Sequence, residues 1–335
     1  MIDEAIARLA RGDDLSAPDA ALAMGEIMGG AATPEQIAEF LTALHKKGET
    51  LPEIIGCATA MRKHAVRVDA GGGIVLDTCG TGGDGAGTFN ISTVTAIVAA
   101  ACGARVAKHG NRAATSKCGS SDLLEALGLK IENPPEKVGK ILREVGIAYL
   151  HAPNFHPAMK YAGPVRKKLG FRTIFNILGP LCNPAGANAQ VIGLFSEKLA
   201  RPIAEALQAL GSVHVFAVHG ADGLDELSTT GPNRAIELHG GRVEELTIGP
   251  ETVDLPRAKP ADLAGGSPQD NAAITREILD GKKGPRRDVV VLNAAFALVA
   301  AGQARTPREG AGKAVDALDG GLARKKLDAL IEAAR

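Results

Sequence analysis

The sequence predicts an α/β protein: a small all-helical N-terminal domain followed by a larger domain with a mostly parallel central β-sheet flanked by helices. Three observations carry this. Residues 1–66 hold helical periodicity and no strand signal. From Ile74 onward, short apolar runs alternate with helical stretches, the pattern of a largely parallel sheet. Between Asp77 and Asp122, a strand end, a glycine-rich loop, a helix and a second polar loop follow one another within a βαβ-length unit.

In order, Ile2, Ile6 and Leu9 share a helical face, and Ser16 caps a segment that stops at Gly29-Gly30. Thr33-Pro34-Glu35-Gln36 has the composition of a capping box with proline at the first helical position, and Thr50-Leu51-Pro52-Glu53 repeats it. Four short helices result, and their apolar faces need a partner. Asp69–Gly73 is a glycine-rich boundary. Strands are expected at 74–78, 104–108, 147–151, 190–195 and 213–218, with helices at 92–102, 121–127, 135–145 and 197–210. Residues 151–186 break the alternation, so the domain boundaries read as 1–70 with a return segment at about 155–186 for the helical domain, and 74–154 with 187–335 for the α/β domain. Residues 234–248 read as a hairpin turning at Gly240-Gly241, and the remainder as scaffold helices starting near Ser267, Asp288 and Thr306. Asn293 reads as packing there.

The first loop, D-T-C-G-T-G-G-D-G-A-G-T-F-N-I-S-T, has enough glycine for close backbone approach to a ligand, and Ser92 is placed to cap the helix after it. Free N–H groups and the helix dipole there favour an anion. The second loop, K-H-G-N-R-A-A-T-S-K-C-G-S-S-D, adds cations and hydroxyls. The first loop lacks the G-K-[ST] ending of a P-loop and the G-x-G-x-x-G opening of a dinucleotide fold, which disfavours an ATPase and a Rossmann dehydrogenase. In H-G-A-D-G-L-D-E-L-S-T-T-G, Asp222, Asp225 and Glu226 crowd hard oxygen ligands after an apolar strand, a set suited to Mg²⁺ and also common in solvated turns. Arg166 offers a fork for a carboxylate, beside the plain reading of a solvated helix face with Lys167 and Lys168.

Composition narrows the classes further. The chain has 335 residues, with 38 Lys+Arg against 38 Asp+Glu, so net charge points to neither nucleic acid nor an anionic membrane. Five cysteines without a C-x-x-C pair argue for reduced thiols and a cytoplasmic protein. No apolar run reaches membrane-spanning length.

The G-T-G-G-D, N-I-S-T and K-H-G-N-R segments, in this spacing, resemble the anthranilate phosphoribosyltransferase family, and P-V-R-K-x-L-G-x-R-T extends the likeness through residues 164–173. The resemblance implies transfer of the phosphoribosyl group of 5-phosphoribosyl 1-diphosphate to the amine of anthranilate, in tryptophan biosynthesis. It implies phosphoribosyl diphosphate contacts from Gly80, Gly83, Asp84, Thr88, Asn90, Ile91, Ser92 and Thr93. In the second loop it implies the span Lys108, His109, Gly110, Asn111, Arg112, Ala113, Ala114, Thr115 and Ser116, and then Ser120. Gly80, Asn111 and Arg166 would contact anthranilate, with His156 and Tyr161 as further pocket candidates. Ser92, Asp225 and Glu226 would hold Mg²⁺, two ions per monomer, and two copies would dimerise through the helical domain.

An aromatic amine is largely unprotonated at neutral pH, so no strong base is required and no residue is a certain catalyst. His109 is the candidate acid or base, with loop orientation as the other reading. Cys118 stands where relatives often carry serine, and a basic loop would make it reactive by lowering its pKa. Two other classes share the fold: pyrimidine nucleoside phosphorylases, and nucleic-acid-binding relatives without this chemistry. The acidic D-E pair speaks against the first and the zero net charge against the second.

Overall fold

The computed structural model describes residues 1–113 and 116–335, so Ala114 and Thr115 lie outside the described residues. The chain opens with four helices, α1 (Ile2–Ala10), α2 (Ala17–Gly29), α3 (Pro34–Lys47) and α4 (Leu51–His64). Their starts follow from local chemistry. Ser16 Oγ accepts from Asp19 N, and Thr33 and Gln36 exchange the two bonds of a capping box. At α4 only half of that device forms: Glu53 accepts from Thr50 N at 2.8 Å, while Thr50 Oγ1 finds no partner among the described residues. Glu53 instead serves as a buried hub, taking Leu15 N and Lys47 Nζ as well. Helices α2 and α4 touch through Gly56, where a Cβ would lie 2.2 Å from Ala17 O, so only glycine allows this crossing.

Among the described residues the sheet has seven strands, β1 (Leu76–Gly80), β2 (Val106–Gly110), β3 (Ile147–His151), β4 (Ala189–Gly193), β5 (His214–His219), β6 (Asn233–His239) and β7 (Arg242–Ile248). Their order is β3-β2-β1-β4-β5-β6-β7. The first five run parallel and the β6–β7 hairpin adds two antiparallel strands, turning at Gly240 and Gly241 with φ of +57° and +79°.

Strands β1 and β2 each lie two residues further on than the apolar runs predict. Ile74 is 41% exposed and Val75 N is taken by the Asn188 side chain, so the ladder starts at Leu76, whose N–H donates to Arg105 O. The strand then runs through the buried polar residues Asp77 and Thr78 and past the expected end at 78 to Cys79 and Gly80.

Strand alternation sends neighbouring residues into two separate cores. Val191, Phe216 and Val218 pack with α5 (Ile91–Ala101) and α13 (Pro285–Ala300) on one face. Ile192, Val215 and Ala217 pack on the other face with α11 (Ala200–Ala209) and the N-terminal helices. Between β2 and β3 lie α6 (Ser120–Ala126) and α7 (Pro135–Val145).

After β3 the chain leaves the sheet for α8 (Ala152–Phe155), α9 (Met159–Leu169) and α10 (Phe175–Leu181). Helix α9 packs on α2 and α3, and α10 on α4, so Ala162, Ile177 and Leu178 share a core with Ile27, Phe40 and Leu41. Arg62 on α4 clasps both Leu181 O and Leu210 O, tying the helical region to the sheet's flank. Helices α12 (Pro268–Leu279), α13, α14 (Pro307–Asp319) and α15 (Leu322–Ala334) complete the chain. Among the described residues no helix is long and apolar enough to cross a membrane.

Candidate functional site

The carboxyl ends of β1, β2 and β5 carry the loops that the sequence singles out, as ligand sites of parallel sheets require. At β1 the glycine loop meets the acidic loop after β5. Gly82 N donates to Asp225 Oδ2 at 2.6 Å, and Gly193 in β4 packs against the Asp225 carbonyl. Asp84 Oδ2 accepts from Asp225 N at 3.4 Å. In the first turn of α5, Ser92 N donates to Glu226 Oε1 at 3.1 Å. Ser92 is thus not the helix cap expected of it; Asn90 holds that position, without a side-chain capping bond, because the helix starts one residue before Ser92.

Asp225 and Glu226 turn inward and Asp222 turns away, accepting from Ser228 Oγ and Thr230 Oγ1 within its own loop. Burial first, and then the neighbouring Glu226 and Asp84 carboxylates, hold the Asp225 carboxyl well above the ordinary range. Glu226 is pushed up to about 7 by burial, against the pull of Lys108 and of its bonds from Ser92. Asp84, Asp225 and Glu226 thus lie within electrostatic reach of one another, with Lys108 as the nearby positive charge. Hard oxygen donors that repel one another until a cation arrives fit Mg²⁺ in kind.

The glycine loop is pinned on its far side. Thr88 bridges to Ala264, and Phe89 N donates to Leu263 O. Ile91 and Thr93 are buried in α5, and Thr93 Oγ1 has no partner among the described residues. Asn90 reaches the second loop, donating to Cys118 O at 3.0 Å.

In that second loop Lys108 and His109 are buried at the end of β2. His109 N donates to Asp77 Oδ1, and Asn183 holds the other oxygen of the same buried carboxylate at 2.7 Å. The His109 ring lies 5.1 Å from that of His156. Burial, His156 and Lys108 drive His109 well below the usual histidine range, and burial brings His156 down to about 4. Both imidazoles are neutral at physiological pH, and neither Nε2 has a partner among the described residues. A neutral His109 lacks the imidazolium proton of a general acid, and a ring of such low basicity is a poor general base at neutral pH, which favours its orienting role.

The rest of the second loop is braced internally. Arg112 is committed to Glu125 and Asp122. Asp122 also accepts from Ala113 N and Gly119 N. Asn111 O accepts from Ser121 N and Ser120 Oγ, and Ser120 further meets the Tyr149 hydroxyl at 3.0 Å. Gly110 is needed because a Cβ would lie 2.1 Å from Ser120 Oγ. Ser116 bonds only weakly, at 3.4 Å, to Cys118 O. The Cys118 thiol is not activated: burial pushes it up to about 11 against a hydrogen bond with Asn271, and the Asp122 carboxylate adds to the rise. The Ala114 and Thr115 assignments fall outside the described residues.

On α9, Arg166 is half-buried, its guanidinium 5.2 Å from the Phe175 ring, and no carboxylate pairs with it among the described residues. Burial lowers its pKa, so a bound anion would be welcome there. His156 is buried at the β2 loop, whereas Tyr161 is 37% exposed and packs against Gly30 of the helical region.

Sequence reasoning missed several supports. Arg172 stacks 3.9 Å over Phe195 and donates to Gly83 O, linking the return segment to the glycine loop. Asn271 donates to Asn90 Oδ1. Asn293 grips both the N–H and C=O of Leu227, next to Glu226, so it is more than packing. A lone asparagine in V-V-V-L-N-A-A-F was the available signal, since a buried amide in an apolar helix needs partners.

Two family models cover the chain. The one described as "Glycosyl transferase family, helical bundle domain" matches residues 3–65, and "Glycosyl transferase family, a/b domain" matches residues 72–324. The anthranilate phosphoribosyltransferase of Solibacter usitatus is 54% identical over 327 residues, covering 97% of this chain and 96% of that one. That of Moorella thermoacetica is 51% identical over 331 residues, covering 99% and 98%. Among solved structures, the Thermus thermophilus anthranilate phosphoribosyltransferase superposes with a TM-score of 0.94 at 45% identity, covering 99% of both chains. The Saccharomyces cerevisiae enzyme, in complex with PRPP and Mg, gives 0.90 at 30% identity, covering 99% of this chain and 97% of that one. With both its helical and its α/β parts matched along nearly their whole length, the chain belongs to the anthranilate phosphoribosyltransferase family.

Proposed function

We propose that this protein transfers the phosphoribosyl group of 5-phosphoribosyl 1-diphosphate to the amine of anthranilate, releasing diphosphate, in tryptophan biosynthesis. The observation that carries it is the junction of Gly82 and Ser92 N–H groups with Asp225 and Glu226 at the edge where the glycine loop, α5 and the Lys108 loop also end. Departure of diphosphate builds negative charge on its oxygens and positive charge on the ribose ring. The glycine-loop amides from Gly80 to Asp84, the hydroxyls of Thr88, Ser92 and Thr93, and the Lys108 ammonium are arranged to meet the first. Asn90, tied to Asn271, and the Asn111–Ser120 segment hold the ribose side in register. Arg166 receives the anthranilate carboxylate, while the neutral His109 and His156 edges orient the ring and its amine. Catalysis is then positioning plus charge stabilisation, and no side chain need remove a proton.

Mg²⁺ belongs to this reading, two ions per monomer, held through Asp225, Glu226 and Ser92. Bound there, it would neutralise charge developing on the diphosphate oxygens. The same reading divides the chain into a helical domain, 1–70 with 155–186, and an α/β domain, 74–154 with 187–335. It pairs two copies through the helical domain, on which Leu22 is 53% exposed, and it places the protein in the cytoplasm without nucleic-acid or membrane partners. The test is loss of anthranilate fluorescence on mixing the protein with phosphoribosyl diphosphate and Mg²⁺. No loss, with phosphorolysis of thymidine in its place, would replace this function by a nucleoside phosphorylase.

A further inference from the structure

Three donors that the transfer chemistry leaves unused lie together at the opposite end of β5 from the acidic loop. His214 opens β5 and His239 closes β6, and the two are Cα partners in the antiparallel ladder. Glu237 precedes His239 by two residues, so strand alternation puts all three on one face of the sheet. The separation from His219, where β5 enters the acidic loop, is roughly 17 Å at the usual strand rise.

The two imidazoles stack with centroids 4.1 Å apart and planes 9° from parallel. Glu237 Oε1 lies 2.8 Å from His214 Nε2. One ligand atom from each of the three residues lies within 4.8 Å of the other two. Beside them opens a recess of about 360 Å³, lined by Glu237, His239, Gly240, Arg242 and Glu244.

A histidine–carboxylate hydrogen bond accounts for His214 and Glu237 alone. It does not account for a second imidazole laid parallel on the first at the mouth of a recess. We propose that His214, Glu237 and His239 form a binding site for a first-row transition-metal dication of the zinc class, distinct from the Mg²⁺ set at Asp225 and Glu226. Two imidazoles and one carboxylate suit zinc and its neighbours, whereas Mg²⁺ prefers oxygen donors throughout. The ladder fixes the backbone spacing, and His214 is buried with its ring 5.0 Å from that of Phe216, which leaves one anchored ligand. His239 is exposed and turns to close the site to the roughly 3.4 Å donor spacing of tetrahedral metal with bonds of about 2.0–2.1 Å. The fourth position is left to solvent from the recess, whose lining includes Glu244, the Cα partner of Glu237. Arg242, the Cα partner of His239, is the competing cation on the same rim.

The full-length protein, stripped with chelator and returned to excess Mg²⁺ to fill the oxygen sites, is titrated with Co²⁺ and then Zn²⁺ by visible absorption and calorimetry. The expected result is one Co²⁺ per chain with tetrahedral d–d bands, no thiolate charge-transfer band, and displacement by Zn²⁺. His239→Ala, at an exposed position, is expected to weaken binding at least about tenfold, the loss that even an outer-shell partner brings. Its far-ultraviolet circular dichroism and its rate of anthranilate consumption stay at parental values, and Arg242→Ala binds no more weakly than the parent. Absence of stoichiometric Co²⁺ uptake, a thiolate band, or parental affinity in His239→Ala would each overturn the site.

Discussion

Gly80 at the end of β1 and Asp225 in the loop after β5 sit so close that a methyl group on Gly80 would lie 2.1 Å from Asp225 Oδ2. That contact seats one acidic side chain against the glycine loop. Gly80→Ala is expected to push the carboxylate out of place, costing about 1–3 kcal/mol of stability as overpacking does. Transfer is expected to fall more steeply than stability, which kcat/KM beside a thermal unfolding curve will measure.

The crowding of Asp225, Glu226 and Asp84 costs stability in the absence of a cation. Asp225→Asn removes one charge from it. We expect kcat/KM to fall by about 10²–10³, the scale for losing one electrostatic contact in a transition state. The Tm of the metal-free variant is expected to hold or rise, since repulsion between buried carboxylates is relieved. A lowered metal-free Tm would make Asp225 a structural residue instead.

Arg166 has a half-buried guanidinium and no carboxylate partner among the described residues. Arg166→Ala is expected to raise the KM for anthranilate by about 10–100-fold, the range for losing hydrogen bonds to a charged group at roughly 1.5–3 kcal/mol. The KM for phosphoribosyl diphosphate is expected to stay unchanged. Arg166→Lys keeps the charge and loses the fork, so it restores only part of the affinity.

His156 makes stability depend on pH in a stated direction. Its folded pKa, about 4, lies below the ordinary histidine value, so the unfolded chain binds the extra proton first. Its contribution is full above about pH 6.5 and is lost as pH falls toward 4. The loss is on the order of 2 kcal/mol. His156→Gln removes this dependence. The difference in unfolding free energy between parent and variant, followed from pH 7.5 to 4.5, is expected to shrink in the parent's disfavour as acid is added.

Asn293 holds Leu227 by both backbone groups from a helix 66 residues away. Asn293→Ala leaves a buried N–H and C=O without partners, at a cost of about 1–3 kcal/mol. Because Leu227 adjoins Glu226, a higher Mg²⁺ requirement for turnover is expected as well, readable from a Mg²⁺ titration of the rate.

Local chemistry made much of this protein legible from its residues alone. Ser16 and the Thr33–Gln36 box start helices through bonds spanning three residues, and Gly240-Gly241 turns a hairpin through its own φ angles. Such features are written within a few positions, and the spacing of the glycine and K-H-G-N-R segments carried the family in the same way. The tertiary structure decided which of those residues are free to act. Arg112 is taken up by Glu125, Asp222 faces its own loop, the Cys118 thiol is raised by burial and His109 is neutral. The partnership of Ser92 with Glu226 spans 134 residues. Burial and charge pairing are properties of the assembled surroundings, and those surroundings come from distant parts of the chain, so no local stretch can state them.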